Sequence, residues 1–427
     1  MSETTVAPPP RRPRTAALRV VTVALLVLAG LGLAAWGGRH AWAWHHFRAG
    51  RAALEADDLD AARSHLDSCL RAWGRSTEAR LLAARAARRA DDLEAAERHL
   101  DEHERRGGDA EARAFEWAML HTQRGEFADT ETYLRNKVAG SEGRDALLGL
   151  EALGKGYAAT GRMPDALRSL DELLRRQPDH FQAHLLRGRV ISEMGELPEA
   201  LADYDAAVAA RPSSFEARLR RAALLERLGR LADAVAEYEA LRLARPDDPE
   251  VLLGLARLRA DSHELEKADA LLGQLLAAHP DRTDALLERA RVGLRRGEAG
   301  RAEEWAREAT RRAPGDRDAF SVLALALEAQ QGKEDDARRC RARIDEIDAD
   351  RDRVMRLGDR AREEPGNLTL RFEIAAALLR LGRTEQGVRG LEGVLAADPN
   401  HPGAHAALAD YYERTGQPDK AKAHRRP

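Results

Sequence analysis

Cysteine is scarce: Cys69 and Cys340 are the two thiols in 427 residues. Two thiols cannot build a disulfide framework, and no C-x-x-C pair exists to hold zinc or carry redox chemistry. Both fall among apolar helix positions, where a free thiol acts as a small hydrophobe. The redox compartment therefore stays open. Aromatic residues make up 4%, too few to fill one large compact core. Lysine is confined to positions 137, 155, 267, 333, 420 and 422, so arginine carries nearly all the positive charge. The formal net charge of −3 lacks the basic excess of a bulk nucleic-acid binder. The basic residues are not interleaved with aromatics as single-strand binders require. There is no phosphate loop, no G-x-S-x-G and no G-x-G-x-x-G. No residue is assigned a catalytic, cofactor-binding or metal-ligating role, and the chain is not read as an enzyme.

What is abundant is alanine, leucine and arginine, with 33% of residues charged. These are helix formers. The length suits two or three ordinary domains or one long repeat array. Many small Ala- and Leu-filled helix contacts fit this composition better than a single core.

One long apolar run stands out, Val20 to Trp36, with no charged residue. Extended over 15–38 it is long enough for a transmembrane helix, with Arg19 reaching toward the interface. Trp36, Trp42 and Trp44 follow it like an interfacial belt. The competing reading is a cleaved signal peptide, whose best site is Ala41-Trp42-Ala43. The anchor is preferred because the apolar core exceeds the usual ~7–15 residues. Arg11, Arg12, Arg14 and Arg19 precede the run, while Arg39, Arg48 and Arg51 follow it. That bias places the polar, proline-rich tail 1–14, expected to be disordered, in the cytoplasm. The rest of the chain is then expected on the periplasmic or extracytoplasmic side of a single-pass membrane protein. Gly30, Ala34 and Gly38 form a small-residue stripe through which two such helices could pair as a homodimer.

Beyond this run a 34-residue period governs the sequence. Gly161, Gly195 and Gly229 share it. So do Ala166, Ala200, Ala234, Ala268 and Ala302, and again Pro178, Pro212, Pro246, Pro280 and Pro314. The glycine supplies a turn after a first helix, the alanine lets two helices approach closely, and the proline ends the second helix. Tyr204 and Tyr238 follow the alanine by four residues. Such a helix–turn–helix cannot bury its apolar faces alone and must stack on its neighbours.

The unit from His180 to Ser213 resembles a tetratricopeptide repeat through Gly188, Ala200, Tyr204 and Pro212. Leu153, Gly154 and Tyr157 match the first half of the preceding unit. The resemblance implies an all-α, right-handed solenoid whose units start near 43, 77, 111, 147, 181, 215, 249, 283 and 317, then near 368 and 402. It also implies a scaffold that binds protein or peptide partners, with no nucleic acid. An accessory role in envelope assembly or secretion is the alternative function.

Two departures interrupt the period. A two-residue insertion falls within 135–146. Pro314 to Pro399 spans an extra half-repeat, predicted as one helix from Glu334 to Glu364, about 46 Å long at 1.5 Å per residue; two helices broken near Asp350 are the alternative. The expected organisation is thus a repeat array over 39–332 with a degenerate ninth unit, a half-repeat over 333–367, and terminal repeats over 368–427.

His99, Glu102 and His103 fit the H-x-x-E-H pattern of inverted zinc peptidases, but they lie on a second helix with Ala96 and Leu100 at packing positions. A charged helix surface is the preferred reading over a zinc hydrolase. His40, His45 and His46 sit beside the tryptophans and read as amphipathic residues rather than a metal or pH site. In tetratricopeptide arrays the ninth position of each unit faces the concave groove. Here those positions hold Arg51, Arg85, Met119, Lys155, Arg189, Ala223, Arg257 and Arg291. The cations among them, Arg51, Arg85, Lys155, Arg189, Arg257 and Arg291, are the candidate ligand groove for an extended acidic segment, a phosphorylated peptide or a terminal carboxylate. Glu151, Glu193 and Glu226 are placed to neutralise some of them. No asparagine occupies a ninth position, unlike the carboxylate clamp of chaperone-binding relatives.

Overall fold

A computed structural model describes residues 14–56, 58–140, 142–364 and 366–425, with side-chain detail from Leu33 onward. The described residues form 22 helices and no strand, in two compact units that divide after Arg211. The first unit holds the hairpins α1 (Arg14–Glu55) with α2 (Leu59–Ala72), and α3 (Thr77–Arg89) with α4 (Leu93–Arg105). It continues with α5 (Ala110–Gln123) and α6 (Phe127–Ala139), α7 (Arg144–Ala159) and α8 (Met163–Arg176), and α9 (Phe181–Met194) and α10 (Leu197–Ala210). The second unit begins with α11 (Phe215–Arg227) and α12 (Leu231–Ala244), then α13 (Pro249–Asp261) and α14 (Leu265–Ala278). Next come α15 (Thr283–Arg295) and α16 (Ala299–Arg312), then α17 (Arg317–Glu328) and the long α18 (Glu334–Glu363). It closes with α19 (Leu368–Arg380), α20 (Thr384–Ala397), α21 (Pro402–Arg414) and α22 (Pro418–Arg425). Within each unit every helix packs on its hairpin partner, and successive first helices also touch, as α5 touches α7 and α13 touches α15.

The columns of the sequence explain this order. Ala166, Ala200, Ala234, Ala268 and Ala302 are all fully buried, where anything larger would push the paired helices apart. Gly195 ends α9 in the left-handed conformation, φ +91°, which a residue without Cβ adopts at no steric cost. At the equivalent position of the next repeat but one, His263 takes φ +60° instead. The second helices α10, α12, α14 and α16 stop two residues before Pro212, Pro246, Pro280 and Pro314. First helices start on side-chain caps: Ser76, Asp109, Ser214, Asp248 and Asp316 each accept a backbone N–H, worth roughly 1 kcal/mol apiece. Gly254 serves packing rather than turning. A Cβ there would come within 2.4 Å of the Tyr238 ring, which is itself 3% exposed.

The extra half-repeat is the single helix α18, 30 residues long; it does not break near Asp350. Asp350 is buried in mid-helix and receives both arms of the Arg380 guanidinium, at 2.7 and 2.6 Å. This bidentate pair fixes α19 against the second half of α18.

The amino terminus corrects an expectation. Among the described residues no helix is long and apolar enough to cross a membrane, so the transmembrane helix at 15–38 and the single-pass membrane localisation are not supported. The run is not a separate element: α1 continues without a break from Arg14 to Glu55, through Arg39, His40, His45, His46, Arg48 and Arg51. Its carboxy-terminal half is the first helix of the first hairpin. There Ala43, Phe47 and Leu54 are buried, and the Arg39 guanidinium donates to the carbonyls of Arg71 and Ala72. The tail 1–13 lies outside the described residues, as do the side chains of 14–32 and the surroundings of Gly30. Ala34 and Gly38 are exposed.

Candidate functional site

The ninth-position cations lie on first helices, and each meets a carboxylate. Arg51 is 3.4 Å from Glu55, Lys155 2.5 Å from Glu151, and Arg189 3.8 Å from Glu193. Arg85 donates to Glu116 at 2.5 Å, and Arg88 to the other oxygen of Glu116 at 3.3 Å. In the second unit, Arg257 lies 3.7 Å and Arg291 2.5 Å from Glu288, and Arg291 also faces Asp318 at 3.7 Å. Met119 is buried, and Ala223 is half-buried. The row of positive charge is therefore a row of ion pairs.

These pairs are not equal. The Arg85 side chain is 15% exposed and its partner Glu116 1%, so this pair sits nearly out of water. Lys155 is 50% exposed and remains open to a competing anion, since exposed pairs are worth at most about 1 kcal/mol. Burial alone would raise the Glu151 carboxyl, but Lys155, His180 and Arg88 hold it below its ordinary value. Glu226 goes the other way. Burial raises its carboxyl despite Arg257 nearby, and it accepts from the Tyr238 hydroxyl at 3.3 Å. Glu116 and Glu288 escaped the sequence reading. Glu116 lies 31 residues beyond Arg85, on the next first helix, and Glu288 follows Arg257 at the same spacing. A search for acids one repeat less three residues downstream of each cation would have found both.

In the first unit Lys155 and Met119, among the ninth-position residues, border a groove of about 600 Å³, which Arg51, Arg85 and Arg189 do not line. Its floor is Met119, Leu147, Leu148 and Ala152, and its walls carry Arg88, Arg89, Arg144, Lys155 and Arg211 against Glu55, Glu151 and Asp179. Arg144 is half exposed and only 3.6 Å from Glu55. His180 caps α9, its Nδ1 accepting from the Ala183 N–H at 3.2 Å; burial lowers its pKa, though Glu151 opposes this. The Arg211 guanidinium lies 4.2 Å from the Phe181 ring centre. A larger cleft of about 840 Å³ opens along α6 and α8. Its Arg162 and Arg168 are held by Asp165, and Arg176 by Glu172.

The H-x-x-E-H residues do not converge on a metal. Both ring nitrogens of His103 face carbonyl oxygens, Nδ1 at 2.8 Å from Thr77 and Nε2 at 3.1 Å from Asp109. Glu102 is engaged by Arg105 and Arg106. His103 thus ties α4 to the starts of α3 and α5, a structural role in which a protein carbonyl stands where zinc would have to approach each nitrogen. Among the described residues no group of three or more His, Cys, Asp or Glu could hold a metal ion.

A tetratricopeptide-repeat family model matches residues 47–111, 151–191, 192–249, 253–317 and 372–423. These segments make up more than half of the chain, and the protein belongs to that family. Among solved structures it is similar to PilW, a widely conserved type IV pilus biogenesis factor, at 22% identity and TM-score 0.43, over 47% of this chain and 93% of that one. It is also similar to TTC0263, a tetratricopeptide protein of Thermus thermophilus, at 24% identity and TM-score 0.36, over 43% and 99%. YrrB, described as having an unusual peptide-binding site, matches at 17% identity and TM-score 0.34, over 42% and 91%. Likeness at this level carries no argument about partners. A comparison with curated proteins finds no match. Family membership assigns the chain to protein–protein interaction scaffolds, stacked repeats whose extended surfaces bind other proteins.

Proposed function

We propose that the groove of the first unit holds an extended segment of a partner polypeptide carrying acidic side chains. The observation that supports this is its lining: five cations against three carboxylates above an apolar floor. The floor accepts small apolar side chains. The half-exposed Arg144 and Lys155 exchange their intramolecular carboxylates for those of the ligand. Because each exchange trades one ion pair for another, charge fixes register and partner choice, while the floor supplies most of the affinity. In the second unit Arg257 and Arg291 share Glu288, and they are proposed as a weaker acidic-ligand surface. The terminal repeats over 368–427 are proposed as a further binding module beyond α18.

The test is fluorescence anisotropy of a labelled Glu- and Leu-containing peptide titrated with the full chain. Reversing Arg144 and Lys155 together to Glu is expected to weaken binding by about tenfold or more, and added salt to weaken wild-type binding. Equal affinity of wild type and double variant would remove the acidic-ligand reading.

A further inference from the structure

Four hairpins share a polar link between a residue of the first helix and one 19 positions on, in the second helix. In α9–α10 it joins His184 Nδ1 to Asp203 at 2.7 Å, and in α11–α12 it joins Arg218 to Glu237 at 2.5 Å. Each of these carboxylates is also gripped by a further residue, Arg187 for Asp203 and Arg221 for Glu237. In α1–α2 and α21–α22 the same link joins two histidines: His46 Nδ1 to His65 Nδ1 at 2.8 Å, and His405 Nδ1 to His424 Nδ1 at 3.1 Å.

We propose that these two histidine pairs are acid-sensitive latches. Each holds its hairpin closed while one Nδ1 keeps its lone pair, and each opens when both rings are doubly protonated. The carboxylate-based links of α9–α10 and α11–α12 stay shut under the same conditions.

Hydrogen-bond chemistry dictates this behaviour. A bond between two ring nitrogens needs one donor and one acceptor. His405 Nε2 lies 2.9 Å from the Pro399 carbonyl, which can only accept, so Nε2 carries the hydrogen. The neutral ring then presents a bare Nδ1 to the Nδ1–H of His424. One further proton fits on His424 Nε2 without touching the link. A second must go to His405 Nδ1, leaving two cations face to face with no acceptor. His184 differs, because both its nitrogens face oxygens, those of Asp203 and Pro178, and the protonated ring satisfies both.

The surroundings of His424 and of His46 favour the neutral ring. Burial and then His405 lower the pKa of His424, opposed by Glu392 from α20. On α21 the Tyr412 ring stacks against His424, and Glu413 is paired to Arg425 of α22, while Lys420 lies over the Tyr412 ring. His46 is lowered by burial, then by His65, His45 and Arg71. Its ring also lies 4.3 Å from that of Trp42. Among the described residues no carboxylate offsets these effects at His46, and α3, packed on both helices, brings none to it. With the folded values of His46 and His424 below the unfolded one, the latches are fully stabilising above the ordinary histidine range and lose that contribution as pH falls through it.

Hydrogen exchange on the full chain, with a chelator present, tests this at about pH 8 and about pH 5.5, on either side of the histidine range. After correction for intrinsic exchange, protection of Leu59–Ala72 and of Pro402–Arg425 is expected to fall roughly tenfold or more at the lower pH, while Phe181–Ala210 is unchanged. His424→Asp and His65→Asp each install the carboxylate that α9–α10 uses, and each is expected to keep its own hairpin protected in acid. The two hairpins are read separately, so a docking failure at one leaves the other informative. Acid loss that is absent from wild type, or as large in both variants as in wild type, overturns the proposal.

Discussion

Replacing Glu116 by Gln separates stability from binding in this array. The Glu116 side chain is 1% exposed and serves both Arg85 and Arg88, themselves 15% and 12% exposed. Gln keeps the volume and one acceptor oxygen but removes the charge. Breaking a buried pair outright costs about 3–5 kcal/mol, because the surviving charge is left uncompensated. The retained acceptor and the partial exposure of the two guanidinia bring this to roughly 2–3 kcal/mol. Repeat arrays do not unfold as a single unit, so a global midpoint is the wrong readout. Hydrogen exchange in α3 and α5 is the right one, and about 2 kcal/mol appears there as roughly thirtyfold lower protection. Binding should move the opposite way. Arg88 lines the groove, and freed of Glu116 it becomes available to an acidic ligand, so affinity for the Glu- and Leu-containing peptide rises while local stability falls. If protection in α3 and α5 is unchanged, the buried-pair reasoning is wrong. If protection falls and affinity does not rise, the groove does not read charge.

Gly254→Ala places a methyl group 2.4 Å from the Tyr238 ring and should destabilise α12–α13 packing by about 1–3 kcal/mol, measured as lost protection confined to those helices. His263→Gly relieves a left-handed residue at φ +60° and should stabilise the α13–α14 hairpin by up to about 1 kcal/mol; a loss of protection there would contradict the strain argument. Burial would raise the Glu303 carboxyl, but Lys333, Arg307 and Gln330 outweigh it and bring it to about 2. Its folded value lies below its unfolded one, so it stabilises α16–α18 above about pH 4.5 and loses that contribution as pH falls toward 2. The full effect is at most about 3 kcal/mol, less whatever solvent screens, and Glu303→Gln should flatten the acid limb of local exchange in α16.

The repeat was legible because its physics is local. A turn favours glycine at Gly195, a close helix crossing needs alanine at Ala200, and a helix end tolerates proline at Pro212; each preference recurs in most repeats and writes a column, with His263 in place of the glycine in one of them. Family and fold class follow from those columns alone. The charge state of the groove was not legible in the same way. Arg85 and Lys155 occupy equivalent positions, yet one is sealed against a buried carboxylate from the next first helix and the other stands half in water beside a carboxylate of its own helix. Which acid reaches which cation depends on how far one repeat rotates against the next, and no single repeat encodes that. The same holds for His103, whose spacing matches a metal motif but whose two nitrogens are taken by the carbonyls of Thr77 and Asp109.

The amino-terminal run shows the limit most plainly, because its apolar composition suggested a separate spanning element. In the structure Arg14–Glu55 is one helix, and its later turns pack Phe47 and Leu54 into the first hairpin. Local propensity thus determined the helices, their caps and their spacing. Stacking decided which charges are buried, which stay open to a partner, and which histidines meet face to face, because those outcomes depend on contacts between helices that are distant in the chain.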